Sequence, residues 1–171
     1  IVPLSIAVLI LLFVSQKAGT GRLGKVVGPV MMVWFVCLAA LGIRGIVLGP
    51  EVLQALMPWH AVSFVIHNGW LAFPVIGTVF LVVTGTESMY ADLGHFGRRP
   101  IRMAWYTTAF PALLLNYLGQ GALLLSDPAA ASSPFFKLAP GWALYPLVGL
   151  SVIASVIACQ ALIAGAFSIT M

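Results

Sequence analysis

Residues 26–48 read VVGPVMMVWFVCLAALGIRGIVL, a run in which Arg44 is the one charge. A helix of about 20 apolar residues crosses the hydrocarbon core of a bilayer, so this stretch alone predicts a membrane span. Further apolar stretches lie at 1–14, 69–90, 103–126 and 141–169, which gives four complete spans and one partial one. Gly42, Gly77, Pro111, Gly149, Ala154 and Ser155 recur inside them. Such residues weaken a helix in water but let helices approach closely in lipid. The expectation is an all-α polytopic bundle, with residues 1–171 forming part of one membrane domain.

Composition leads to the same class. Of 171 residues, 61% are hydrophobic and 7% charged, against about 45–50% and about 25% in soluble domains. Eight Lys plus Arg and four Asp plus Glu cannot coat a water-exposed surface, which excludes a soluble globular protein. A net charge of +4 could suggest nucleic acid, but no basic patch is interleaved with aromatics, so no nucleic-acid partner is implied. The cations sit instead in short loops. Residues 15–25 hold Lys17, Arg22 and Lys25, and residues 91–102 hold Arg98, Arg99 and Arg102 with Asp92. Arg44 balances Glu51, and Lys137 balances Asp127. Because Lys and Arg in short loops mark the cytoplasmic side, loops 15–25 and 91–102 are expected to be cytoplasmic in a multi-pass protein of the cell membrane.

The segment 50–67 carries apolar residues at helical spacing and predicts two short interfacial helices broken at Pro58. Trp59 and Trp70 stand where aromatic rings gather at a membrane–water boundary. The chain opens on Ile1-Val2-Pro3 and closes on Thr170-Met171 within apolar sequence, the expectation for an internal fragment.

Enzymatic and metal motifs find little support. Gly19-Thr20-Gly21-Arg22-Leu23-Gly24 matches GxGxxG, but the strand before it and the acid about 20 residues on that a dinucleotide site requires are missing; a flexible cytoplasmic turn is expected. His60 and His67 are two helical turns apart, about 10 Å along the axis and too far to share one zinc. Ser88 lies in no GxSxG elbow. Cys37 and Cys159 lie within apolar runs and read as small buried hydrophobes.

The chemically informative stretch is Val83-Thr84-Gly85-Thr86-Glu87-Ser88-Met89-Tyr90-Ala91-Asp92. Four hydroxyls and two carboxylates fall at the end of an apolar run, where ionisable groups are costly and mark ion or proton paths. Thr84 and Glu87 are i and i+3, which a helix would place on one face. A backbone unwound at Gly85 would add carbonyl oxygens, the ligands that suit alkali cations. Asp92, beside Gly94 and His95, reads instead as an interfacial charge. In the next span Asn116, Tyr117 and Gln120 either line a pathway or hydrogen-bond between helices.

The run 83–102, together with Leu113-Leu114-Leu115-Asn116-Tyr117-Leu118-Gly119-Gln120-Gly121-Ala122, closely resembles the KUP/HAK/KT family of potassium uptake permeases. Asn68-Gly69, Pro58-Trp59-His60-Ala61 and residues 160–168 extend the match, which runs from about residue 20 to the end. The resemblance implies a partial LeuT-like helix bundle of the amino acid–polyamine–organocation superfamily. It implies potassium uptake by symport with protons, no enzymatic activity and no cofactor beyond the transported ions. Thr84, Glu87 and Tyr90 form the expected ion-binding and coupling set, with potassium on Thr84. Thr86, Asn116, Tyr117 and Gln120 are the pathway-lining candidates. The partners implied are potassium, the proton and membrane lipid, with a homodimer as the assembly to consider. The family's glycine-rich, acid-bearing first span is not among these residues, and Cys159 and Ala164 stand where small hydroxyl residues are expected. The alternative from another class is a non-transporting structural subunit whose few polar residues serve only packing.

Overall fold

The computed structural model describes residues 20–83 and 97–170, and the regular structure within them is helical. Helix α1 (Thr20–Leu48) takes in the deciding stretch. Its first turns contain residues 20–24, so the GxGxxG match is helical there and not the turn expected from its glycines. Gly49 closes α1 by donating its N–H to the Gly45 carbonyl at 3.0 Å. Pro50 then opens a 3-10 helix, Pro50–Leu56, and Pro58 opens α2 (Pro58–Asn68), each proline sitting where its missing N–H costs nothing.

Gly69 ends α2 at φ 47°, a left-handed value that any Cβ would strain. A 3-10 turn, Gly69–Leu71, leads directly into α3 (Ala72–Val83). Residues expected at the interface thus continue into the following apolar run, and Pro58–Phe80 is long and apolar enough to cross a membrane. The other stretches that meet this criterion among the described residues are Val27–Leu48, Arg98–Ser126 and Gly141–Ile163.

Gly97, at φ 76°, precedes α4 (Arg98–Ala104). A π-helical turn, Trp105–Ala109, joins α4 to α5 (Phe110–Ser126). Pro111 follows two residues after the turn and has no N–H to donate to the Thr107 carbonyl four residues back; at the residue before it, the Phe110 N–H bonds Trp105 O, five residues back. After α5, Asp127 Oδ1 accepts from Ala129 N at 3.0 Å to cap a 3-10 helix, Pro128–Ser132. Lys137, at the end of the short α6 (Pro134–Lys137), donates from Nζ to Ala129 O at 2.9 Å. The two residues whose charges balance in the sequence therefore both hold the backbone of Ala129. A last 3-10 turn, Gly141–Ala143, feeds α7 (Leu144–Thr170).

The core is the seam between α1 and α5. Leu38, Gly42 and Gly45 on α1 and Ala112, Asn116, Gly119 and Ala122 on α5 are buried, and their spacings of three and four keep each set on one helix face. A Cβ added to Gly42 would overlap the Leu115–Asn116 backbone, and one on Gly45 would stand 2.5 Å from Gly119 O. The two backbones touch because the seam carries so little side chain, the contact on which helix association in lipid relies. The order of contacts, Gly42 at Leu115, Gly45 at Gly119 and Gly49 at Ala122, rises along both chains, so α1 and α5 are parallel.

Candidate functional site

Thr84, Thr86, Glu87 and Tyr90, with Ser88 and Asp92, lie outside the described residues. The remaining pathway candidates lie on α5. Asn116 is buried in the seam with 4% of its surface exposed. Its Nδ2 donates to Leu38 O across the helix pair at 3.2 Å, and its Oδ1 accepts from Gln120 Nε2 at 2.5 Å. Tyr117 is 54% exposed, because one residue along a helix is a rotation of about 100° away from the seam. The structure thus brings Asn116 and Gln120 together and separates Tyr117 from them. The amide pair is neutral and donates inward to a carbonyl, a geometry suited to fixing the register of α1 on α5.

The π-turn was not foreseen from sequence. It presents Thr107, whose Oγ1 donates to Met103 O at 2.7 Å, and Thr108, whose hydroxyl lies 3.4 Å from that of Thr107. Thr108 lines a cavity of about 430 Å³ with Gly28, Met31, Phe35 and Trp105. The signal that could have found it is Pro111, placed eight residues into the apolar run 103–126 with two threonines just before it.

His67 Nδ1 lies 2.8 Å from Ser63 O; since a carbonyl only accepts, Nδ1 carries the proton there. His60 and His67 are both exposed, and no group of three His, Cys, Asp or Glu suited to a metal ion occurs among the described residues. Cys37 is half-buried and Cys159 exposed, both as free thiols. Cys159 thus lies on a face of α7 that the other described residues leave uncovered, whereas the sequence predicts it buried.

Four span-length helices, a glycine seam and few charges define a multi-pass α-helical membrane protein. The family model for the integral membrane domain of the K+ potassium transporters matches residues 1–171, and the chain belongs to that family, one of transporters and not of enzymes. The "Probable potassium transport system protein Kup 1" of Geobacter sulfurreducens is 62% identical over 99% of this chain and 27% of its own length. The Kup protein of Myxococcus xanthus is 58% identical over 99% of this chain and 26% of its own. The "Low affinity potassium transport system protein Kup" of Pectobacterium atrosepticum is 58% identical, with shares of 99% and 27%. The chain therefore spans about a quarter of the length of the curated relatives it matches. No solved structure matches it.

Proposed function

We propose that these residues are part of a proton-coupled potassium uptake transporter with a LeuT-like helix bundle. The observation that carries this reading is the match of nearly the whole chain, at 62% and 58% identity, to relatives named for potassium transport. In this reading the Thr84 hydroxyl supplies an oxygen ligand to the desolvated potassium ion. Glu87 is the titratable group nearby whose carboxylate takes either the proton or the field of the cation, and Tyr90 completes the polar set. Coupling then rests on competition, and its range is bounded by the difference in affinity between the states that each ion favours.

The test is rubidium uptake, resolved by external pH, in potassium-uptake-deficient cells expressing the whole transporter that contains this chain. Glu87→Gln keeps size and hydrogen bonding but removes the titratable charge, so it is expected to slow uptake and flatten the pH dependence. Thr84→Val deletes one oxygen and no proton site. It is expected to raise the apparent KM about tenfold, the equivalent of about 1.4 kcal/mol, while leaving the shape of the pH profile. Wild-type uptake curves from both variants would remove Thr84 and Glu87 from the mechanism.

A further inference from the structure

Between α1 and the start of α7 runs a groove of about 470 Å³. Val33, Cys37 and Leu41 form one wall, Ala143, Leu147 and Leu150 the other, and Arg44 stands in the same wall as the single charged group. Arg44 Nη1 donates to Leu138 O at 2.5 Å, which anchors the side chain through one of its five N–H donors. The guanidinium is otherwise exposed. The other charges at this end of the bundle are engaged or elsewhere. Asp127 and Lys137 hold Ala129, and Glu51 lines a separate cavity with Leu48, Gly49 and Ser126. Trp142, which lines the groove, and Tyr145, one turn further on, are 82% and 84% exposed, as rings are at the headgroup level.

From this arrangement we infer that the groove holds one phospholipid, its phosphate on Arg44 and one acyl chain along the apolar walls. An arginine fork pairs two of its N–H groups with phosphate oxygens. A hydrocarbon chain is the partner that keeps the lining atoms in dispersion contact, which an empty groove would forfeit. Charge complementarity favours a lipid: among the described residues no carboxylate lines the groove to meet Arg44, and a phospholipid supplies that anion itself.

Two measurements on the whole transporter test this. A benzophenone amino acid placed at Ala40, which lines the groove, is expected on irradiation in native membranes to yield a protein carrying the mass of one phospholipid. A crosslink to another segment of the same polypeptide would overturn the proposal. In native mass spectrometry of protein loaded with phosphatidylglycerol, Arg44→Gln is expected to retain the lipid about tenfold more weakly than wild type. Unchanged retention would overturn it, as would displacement of the lipid by inorganic phosphate, which would show a free-anion site.

Discussion

At the scale of single residues, the seam between α1 and α5 depends on atoms that are absent. Gly45 and Gly119 meet backbone to backbone, and a Cβ on Gly119 would stand 2.6 Å from Gly42 Cα. Neither side can yield by changing a rotamer, so relief requires the helices to separate along the whole contact. Overpacking of a core costs about 1–3 kcal/mol when side chains can adjust, and Gly45→Val is expected to reach about 3 kcal/mol or more. Gly28 provides the control, since nothing lies within 4 Å of the position its Cβ would take. There Gly28→Ala is expected to be close to neutral, because the better helix propensity of Ala is offset by the crowding that Pro29 imposes on a Cβ at the residue before it. Thermal melts of the detergent-solubilised transporter should therefore place Gly28→Ala close to wild type and Gly45→Val well below it. Asn116→Leu belongs between them, because an interhelical hydrogen bond in a membrane is worth about 0.6 kcal/mol and at most about 1.7 kcal/mol.

At the scale of elements, what could be read from sequence depended on whether the cause was local. The run 26–48 announces a span because hydrophobicity is counted residue by residue, and the break at Pro58 follows from one missing donor. Asn116 and Gln120 are legible as a pair, since i and i+4 share a helix face. Their partner, Leu38 O, lies 78 residues away in the chain, and nothing in α5 alone points to it. Arg44 clasping Leu138 O is hidden for the same reason. The π-turn falls between these cases, local in origin yet unreadable from periodicity, because a proline in a span can bend a helix, widen it or start a new one. If Pro111 is its cause, Pro111→Ala restores a donor and lets the turn tighten to regular α geometry. Losing one residue of bulge rotates α4 by about 100° relative to α5, which carries residue 108 off the wall of its cavity. Labelling of a Thr108→Cys variant by a lipid-soluble maleimide is expected to change several-fold when Pro111→Ala is added; equal rates would detach the π-turn from the proline.

At the scale of the whole molecule, two independent lines of physics meet in the topology. The seam contacts rise together along α1 and α5, so the start of each helix lies at one end of the bundle and Pro50–Leu56 and Pro128–Ser132 lie at the other. That geometry uses no charge at all. The distribution of Lys17, Arg22, Lys25, Arg98, Arg99 and Arg102 uses no geometry, and it places those same two helix starts on the cytoplasmic side. Parallel neighbours require a return crossing between them, and Pro58–Phe80 has the length and hydropathy to make it. The prediction is that single cysteines at Thr20 and His95, in a transporter otherwise free of cysteine, react with an impermeant maleimide only after the cells are opened. A cysteine at Ala131, exposed in the 3-10 helix after α5, should react in intact cells. Each outcome isolates one argument. Labelling of positions 20 and 95 from opposite sides would break the parallel seam, and with it the packing of Gly42, Gly45 and Gly119. Labelling of both from outside would leave the seam standing and reverse the charge rule for this protein.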